Sequence, residues 1–235
     1  TRRLDKDCYV DFDRIFAVSD ETAGVLAGVY PECQQKLSVF HNLIDTEAIR
    51  QKALLPAEKS MHEGIRLLTV GRLTPQKGFD CAVYALKLLL EKQYPVYWYI
   101  IGEGPEYGRL TQLARSLHVE DHFIFLGMQT NPYPYFKMAD FYIHATRFEG
   151  KSIAIQEAQV LGCAIAASDC SGNREQIVSG VDGLLCPFSP EGIANAVEYL
   201  IEHPQTAQSF GRAAAQKACH FENDIHMIRD LLYSP

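Results

Sequence analysis

Two carboxylates near the middle of the chain have the type and spacing of a binding site. Glu149 follows the strand-like run Phe141–Ala145, and Glu157 comes eight residues later in the helix-like stretch Ser152–Leu161. At about 100° per residue, Glu157 is predicted to fall near the middle of the apolar face of that helix. A buried carboxylate needs donors, which either the protein or the vicinal hydroxyls of a sugar can supply. The pattern leaves both a structural and a sugar-binding glutamate open.

The same helix carries two further expectations. Its buried face is predicted to comprise Ile153, Ala154, Ala158, Val160 and Leu161, with Ile155, Gln156 and Gln159 on the opposite side. At its start, Gly150, Lys151, Ser152 and Ile153 are predicted to offer free backbone N–H groups, which suit an anion. Glu149 could equally be a plain carboxylate that favours the helix dipole.

Two cations follow another strand-like run, Ile65–Val70. Arg72 and Lys77 lie in a loop that begins at Gly71 and ends at Gly78, just before a helical pattern. Fixed cations beside a helix N-terminus suit a diphosphate, and the flanking glycines allow close approach of the backbone. The loop lacks the spacing of a Walker motif. Ordinary solvated surface charges are the alternative interpretation.

A third loop, Gly102–Pro105, follows the run Val96–Ile101 and superficially resembles a dinucleotide fingerprint. The third glycine is Gly108, one position too late for Gly-x-Gly-x-x-Gly. The spacing therefore disfavours an NAD enzyme and favours a tight strand-to-helix turn, with Pro105 near the first helical position.

Short apolar runs alternate with helix-length periodic stretches along the whole chain. The predicted strands are Arg14–Val18, Leu37–His41, Ile65–Val70, Val96–Ile101, Phe123–Leu126, Phe141–Ala145, Ala164–Ala167 and Gly183–Cys186. The predicted helices are Glu21–Val29, Phe79–Lys92, Glu106–Leu117, Tyr133–Met138, Ser152–Leu161, Glu191–Ile201, Thr206–Lys217 and Phe221–Tyr233. This alternation predicts an α/β fold with a doubly wound, Rossmann-like parallel sheet and helices on both faces.

The distribution of these elements predicts four segments. Residues 65–218 hold six strands and form one complete domain, whereas residues 1–45 hold two strands and form the tail of a preceding domain. Residues 46–64 are a connector without a strand, and residues 219–235 form a last helix. The chain begins without Met, so we expect it to start inside a longer protein. Apolar surface near Phe12–Val18 and Ile225–Leu232 is then expected to be exposed or covered by a partner copy.

Composition excludes several classes of function. The 235 residues carry 22 basic and 29 acidic side chains, which argues against a nucleic-acid partner. Apolar runs fall short of the roughly 18 residues of a membrane span. The seven cysteines are odd in number and include no Cys-x-x-Cys pair, which predicts reduced thiols and a cytoplasmic protein. No metal-ligand pattern stands out among the histidines.

Taken in order, the motifs resemble the retaining GT-B glycosyltransferases of the family 4 type. The resemblance rests on five segments: Gly71-Arg72-Leu73 with Lys77-Gly78; Ile101-Gly102-Glu103-Gly104-Pro105; Glu149 with Glu157; Ser171-Gly172-Asn173-Arg174-Glu175; and Gly180-Val181-Asp182-Gly183-Leu184-Leu185. The similarity extends from about residue 13 to the C-terminus. It implies two Rossmann-like domains around a cleft, of which this chain carries the donor-binding one and a fragment of the acceptor-binding one. Asn42–Asp45 is similar to the interdomain segment, with Leu43 in place of a glycine.

The resemblance also implies roles for individual residues. Arg72 and Lys77 would hold the donor diphosphate, Glu157 the ribose hydroxyls, and Glu149 would lie beside the transferred sugar. The donor site would also include Gly71, Gly102, Gly150, Lys151, Ser152 and Ile153. Lys151 departs from the phenylalanine or leucine common at that position. No metal or other cofactor is expected, since fixed cations and helix N-termini would stabilise the leaving group.

The implied reaction moves a sugar from a nucleoside diphosphate sugar, with a UDP-sugar as the expected donor, and retains the anomeric configuration. The implied acceptor is a glycan or a lipid-linked acceptor in polysaccharide biosynthesis, so attachment to the inner membrane surface is left open. Without its acceptor domain the chain is expected to bind donor without efficient transfer. Two alternatives remain, a nucleotide-sugar-binding module without transfer activity and a nucleotide-sugar epimerase.

Overall fold

The computed structural model describes residues 8–9 and 11–219, and the alternation of strands and helices predicted from the apolar runs is present throughout. The strands are β1 (Ile15–Ala17), β2 (Leu37–Val39), β3 (Ile65–Val70), β4 (Val96–Ile101), β5 (Phe123–Gly127), β6 (Phe141–His144), β7 (Ala164–Ser168) and β8 (Leu184–Cys186). The helices are α1 (Asp20–Val29), α2 (Thr46–Lys52), α3 (Phe79–Glu91), α4 (Tyr107–Ser116), α5 (Tyr133–Met138), α6 (Ile153–Val160), α7 (Ser171–Arg174), α8 (Pro190–Glu202) and α9 (Pro204–Ala218). Single 3-10 turns occupy Pro31–Lys36 and Pro75–Lys77.

The six strands from β3 onward form one sheet in the order β5-β4-β3-β6-β7-β8, and every neighbouring pair is parallel. This is the doubly wound Rossmann order, in which the first strand of the domain lies in the middle. The chain reverses its winding direction between β3 and β6. The carboxyl ends of these two strands therefore flank the crevice where ligands bind in such sheets.

The sheet is buried on both faces, which explains why its strands are mostly apolar. One cluster of buried side chains joins the sheet to α3, α4, α8 and α9, and a second joins it to α5 and α6. Trp98 on β4 is fully buried, and its indole N–H donates to Thr69 Oγ1 at 2.9 Å. Thr69 in turn donates to the Ile143 carbonyl at 2.7 Å. This buried chain of hydrogen bonds ties β4, β3 and β6 together beneath the crevice.

The connector begins with a helix that the sequence did not predict. Asp45 caps α2 by accepting from the Ala48 amide at 2.8 Å. The rest of the connector is fastened to the sheet domain by two tyrosine hydroxyls. Tyr135 accepts from the Lys59 amide at 3.0 Å, and Tyr99 accepts from the His62 amide at 2.6 Å. The connector therefore lies against the six-stranded sheet domain as a fixed element.

The N-terminal segment forms a small unit of its own, in which β1 and β2 pair in parallel and α1 starts at the Ser19 cap. Phe12, Phe16 and Val18 are exposed, in agreement with the sequence-based expectation for Phe12–Val18. The division into two domains and a connector stays a prediction. The predicted helix Phe221–Tyr233, and the apolar surface expected on it, lie outside the described residues.

Candidate functional site

The crevice at the carboxyl ends of β3 and β6 contains a cavity of about 640 Å³. One wall is the loop after β3, from Val70 to Lys77, and the other is the segment from Glu149 to Glu157. The sequence-predicted residues Gly71, Arg72, Lys77, Glu149, Lys151, Ser152, Ile153 and Glu157 all lie along this cavity. Gly150 belongs to the same segment, and Gly102 follows β4 next to it. The two sequence motifs with opposite charge therefore meet in one place.

Lys77 and Glu149 form an ion pair across the crevice, with the Lys77 ammonium donating to Glu149 Oε2. Both side chains are largely buried. His144, the last residue of β6, lies within hydrogen-bond distance of the same carboxylate, with Nε2 3.2 Å from Oε2. On its other side His144 Nδ1 is 3.2 Å from the Tyr142 hydroxyl. This arrangement is consistent with a neutral imidazole that donates from Nε2 and accepts at Nδ1.

The protonation states of Glu149 and His144 depend on two opposing effects, burial and hydrogen bonding. Burial alone would raise the pKa of Glu149, but hydrogen bonds from His144 and Lys77 outweigh it and lower the pKa to about 2. Burial lowers the pKa of His144, although its hydrogen bond to Glu149 opposes that change. Glu149 is therefore an ionised carboxylate at neutral pH. It can stabilise positive charge but is a poor proton donor.

The loop after β3 is tied to the loop after β6 by residues that the sequence analysis did not single out. Gln76 Nε2 donates to the Phe148 carbonyl at 3.0 Å, and the Gln76 carbonyl accepts from the Arg147 amide at 2.8 Å. Arg147 itself makes a two-pronged salt bridge to Asp80, with contacts of 3.0 and 2.7 Å. These bonds flank Lys77 on one loop and Glu149 on the other, so they hold the ion pair in place.

Arg72 differs from Lys77 because its side chain is exposed at the mouth of the cavity. Its backbone is braced by the next loop, since the Leu73 amide donates to the Glu103 carbonyl at 2.9 Å. Gly102 adopts φ 140°, and a Cβ there would lie 2.1 Å from the Gly71 carbonyl oxygen. A glycine is therefore required where the two loops touch. The predicted tight turn is present, because the Tyr107 amide at the start of α4 donates to the Gly104 carbonyl at 3.2 Å around Pro105.

The loop after β4 borders a second cavity of about 500 Å³, next to the first. Backbone of Gly102, Gly104 and the end of β5 forms part of its wall, and the Tyr107 and Phe125 rings form another part. These rings meet edge to face with centroids 5.1 Å apart. A partly apolar space lined by aromatic rings, beside a cationic crevice, suits a nucleotide base. A third cavity, of about 510 Å³, lies near Cys163 and Arg212, away from all of these residues.

The start of α6 offers fewer free amides than the sequence predicts. Ser152 is the N-cap, and its Oγ accepts from the Ile155 amide at 3.4 Å. The Ser152 amide donates to Gln176 Oε1 at 2.7 Å, and Gln176 Nε2 donates back to the Ser152 carbonyl at 2.9 Å. The expectation of a free Ser152 amide is therefore wrong, because a distant glutamine occupies it. Gly150 lies against the N-terminal segment, where a Cβ would be 3.6 Å from Thr22 Oγ1.

The predicted buried face of α6 is only partly right: Ala158 and Val160 are buried as expected, but Ile153, Ala154 and Leu161 are not. The side chains that are buried belong to Ile155, Gln156, Ala158, Gln159 and Val160, whereas Ile153 is 51% exposed. The pattern assumed that glutamines face solvent, but Gln159 Nε2 donates to the Gln176 carbonyl at 2.8 Å and is buried with a partner. Glu157 consequently lies at the edge of the buried face, next to the cavity, and not at its middle.

Glu157 is half-buried and has a partner on α5. The Tyr133 hydroxyl donates to Glu157 Oε1 at 3.0 Å. Burial raises the pKa of Glu157, and this hydrogen bond opposes the change. Burial, together with the charge of Glu157, raises the pKa of Tyr133 to about 12. The structure thus supplies one donor to a carboxylate that also borders the cavity.

Other features bear on what the site can hold. Among the described residues, no group of three or more His, Cys, Asp or Glu side chains is arranged to hold a metal ion. Within the same part of the chain, none of the helices has the length and apolar character needed to cross a membrane. The seven cysteines are free thiols.

Other residues of the site, among them His144, Gln76 and Tyr133, were not predicted from the sequence. His144 had a usable signal, because it ends a strand five residues before Glu149. Gln76 and Tyr133 had none, since their partners are 72 and 24 residues away in the chain.

The part of the chain that carries these features matches a protein-family model. The model of the group 1 glycosyl transferases matches residues 50–217, which is more than half of the chain. The matched range contains the whole six-stranded sheet and both walls of the crevice.

Similar proteins of known sequence are glycosyltransferases. The chain is 30% identical over 200 residues to the N-acetylgalactosamine-N,N'-diacetylbacillosaminyl-diphospho-undecaprenol 4-alpha-N-acetylgalactosaminyltransferase of Campylobacter jejuni, covering 84% of this chain and 53% of that protein. It is 25% identical over 180 residues to an uncharacterized glycosyltransferase of Methanocaldococcus jannaschii, covering 74% of this chain and 42% of that one. The chain therefore spans about half the length of these curated relatives.

Similar solved structures agree on the fold. The crystal structure of Anabaena HepE in complex with UDP-glucose superimposes with a TM-score of 0.86 at 19% identity, covering 100% of this chain and 67% of that one. WaaG, a glycosyltransferase involved in lipopolysaccharide biosynthesis, superimposes with a TM-score of 0.77 at 17% identity, covering 94% of this chain and 63% of that one. These matches show a Rossmann-like domain of the GT-B type. Together with the family match over the sheet and the crevice, they lead to one conclusion: the chain belongs to the group 1 glycosyltransferases.

Proposed function

We propose that this chain is the donor-binding part of a retaining GT-B glycosyltransferase of the family 4 type. The whole protein would move a sugar from a UDP-sugar to a glycan or a lipid-linked acceptor, and the acceptor would be bound largely by residues beyond this chain. The observation that carries the proposal is the crevice itself, where the cationic loop at Arg72 and Lys77 faces Glu149 and Glu157. UDP-bound and UDP-glucose-bound structures of HepE support the choice of base.

In the proposed complex, the diphosphate lies near Arg72, Lys77 and the start of α6. Negative charge grows on the diphosphate as the bond between the anomeric carbon and the phosphate oxygen breaks. Arg72, at the mouth, is a cation whose interaction with the diphosphate would strengthen in the transition state, which is what accelerates the reaction. The backbone N–H groups of Ile153 and Ala154, in the first turn of α6 beside the cavity, would add to that stabilisation.

Glu149 has a different part in the proposal. Its pKa of about 2 keeps it ionised, so it would stabilise the positive charge that develops on the sugar as the nucleotide leaves. Without substrate, the negative charge of the Glu149 carboxylate is balanced by the Lys77 ammonium. Lys77 would therefore interact with two anions, the Glu149 carboxylate and the incoming diphosphate. A shift of the Lys77 ammonium toward the diphosphate would weaken its ion pair with Glu149, so that donor binding would leave the carboxylate freer to interact with the sugar.

No metal ion takes part in the proposed reaction. Arg72, Lys77 and the amides at the start of α6 would do the work that a divalent cation does elsewhere. Binding of UDP that is unchanged by a chelator supports this part of the proposal, and a strict dependence on added Mg²⁺ or Mn²⁺ argues against it.

The experiment that tests the proposal has two arms. The first measures the dissociation constants of uridine, guanosine and adenosine diphosphate sugars for the chain by calorimetry. The expected result is that the uridine diphosphate sugar binds most tightly. The second follows the anomeric configuration of the product by NMR in the full-length protein. Inversion would reject retention, and release of an isomerised nucleotide sugar would favour the epimerase. The family match at residues 50–217 favours transfer over the epimerase.

A further inference from the structure

The carboxylate of Glu157 is held by a residue that no sequence motif marks. The described residues give it one hydrogen-bond donor, the Tyr133 hydroxyl, at 3.0 Å from Oε1. An ionised carboxylate only accepts hydrogen bonds, so the phenol must donate. This contact uses Oε1, so Oε2 is available to a ligand in the cavity that Glu157 lines.

Tyr133 is itself anchored to the connector. Its amide donates to Asn131 Oδ1 at 3.3 Å, and Asn131 Nδ2 donates to the Lys52 carbonyl at the end of α2 at 2.9 Å. Its ring contacts the Phe136 ring, with centroids 6.4 Å apart. The phenol is thus fixed from its backbone and from its ring before it reaches Glu157.

A small cavity behind this contact explains why the anchoring is needed. It measures about 300 Å³ and lies between α2 and α6, with Tyr133 and Glu157 both on its wall. Glu157 also borders the larger donor cavity. A glutamate side chain between two open spaces can rotate toward either one, and each rotamer away from the donor cavity would lower affinity for a ligand there.

We propose that Tyr133 is a positioning residue that holds the Glu157 carboxylate toward the donor cavity, with Oε2 directed at the ribose hydroxyls of the nucleotide. The inference rests on the proposed function, because it takes Glu157 to be the ribose-binding carboxylate. The donor site would then include Tyr133 from α5. Through Asn131, it would also depend on the end of the connector helix α2.

The test compares two ligands that differ only in the ribose. UDP has both ribose hydroxyls, and dideoxyuridine diphosphate lacks both, so the ratio of their dissociation constants reports the ribose contact alone. In Tyr133→Phe the ring remains and the donor is lost. We expect the ratio to fall by about tenfold, the value of one charge-assisted hydrogen bond, with affinity for the dideoxy compound unchanged.

Tyr135→Phe is the matched control. Tyr135 is on the same helix and more deeply buried, and its hydroxyl accepts from Lys59 and contacts Gln129, with no bond to Glu157. The same chemical change there should alter thermal stability without changing the ligand ratio. If Tyr133→Phe does not fold, Tyr133→His provides a ring with an N–H donor and should retain part of the discrimination.

Glu157→Gln separates the two ways in which the inference can fail. If the parent discriminates the two ligands and Glu157→Gln abolishes the difference, Glu157 binds ribose. A Tyr133→Phe variant that then keeps the parent ratio would overturn the positioning role alone. If the parent binds both ligands equally, the ribose assignment of Glu157 is wrong and the positioning role falls with it, whereas diphosphate binding at Arg72 would be unaffected.

Discussion

Lys77 and Glu149 are 72 residues apart in the chain, yet their side chains form an ion pair at the centre of the crevice. The two residues end up together because β3 and β6 are neighbours in the sheet and each is followed by a loop at its carboxyl end. The pair joins the residue proposed to hold the diphosphate to the one proposed to lie beside the sugar. Its disruption should therefore affect both stability and binding.

The stability of the fold should depend on this pair. Lys77→Met leaves Glu149 with His144 as its remaining partner, and we expect a loss of about 1–3 kcal/mol, below the usual cost of a fully buried pair. The double variant with Glu149→Gln should regain part of that loss, because the uncompensated charge is gone. Urea denaturation at neutral pH measures both. Lys92→Met is the control, since its pair with Glu198 is more exposed and is expected to be worth less than about 1 kcal/mol. Equal losses in both single variants would contradict the account.

Acid should remove the contribution of Glu149 in a defined range. The pKa of Glu149 is lower in the folded chain, at about 2, than its ordinary value of 4.5. Ionised Glu149 therefore stabilises the fold fully above pH 4.5, and this share is lost as the pH falls through about 2. We expect the free energy of unfolding of the parent to fall more steeply in that window than that of Glu149→Gln. Parallel curves for the two proteins would show that Glu149 is not stabilised by its partners.

Arg72 should contribute to binding more than to folding. Its side chain is exposed, so Arg72→Ala should leave the melting temperature nearly unchanged. Loss of a charge-assisted contact to the diphosphate should weaken UDP binding by about 1.5–3 kcal/mol. Arg115→Ala removes another exposed arginine, from α4, and controls for the loss of general charge. Should both variants bind UDP as tightly as the parent, the diphosphate does not contact Arg72.

The contact between the two glycine loops should tolerate no side chain. A Cβ on Gly102 would lie 2.1 Å from the Gly71 carbonyl, and its φ of 140° is unfavourable for other residues. Gly102→Ala is therefore expected to cost more than about 2 kcal/mol and to displace the cationic loop. Gly108→Ala is the matched change, because nothing lies within 4 Å of its Cβ position, and helix propensity should make it neutral or stabilising. Thermal melts that rank the two variants the other way would refute the close approach.

The sequence predicted the strands and the motifs because these depend on local patterns. Every predicted strand from β1 to β8 is present, and each site residue lies at or next to the expected crevice. The connector helix α2 was missed, since it is short, carries mixed charge and buries two residues, Thr46 and Ile49. The buried face of α6 was predicted only in part, because Gln176, which lies outside that helix, provides partners for Gln159 and Ser152. Strand order, and with it the ion pair, depends on tertiary contacts that a local pattern does not contain.

The central claim is that this crevice binds the diphosphate of a nucleotide-sugar donor. Calorimetric titration of the chain with UDP and, separately, with uridine tests it most directly, because the two ligands share base and ribose and differ in the diphosphate. The account predicts that UDP binds, that uridine binds at least about tenfold more weakly, and that the difference shrinks with added salt. No binding of UDP, or equal affinity for UDP and uridine, would contradict it.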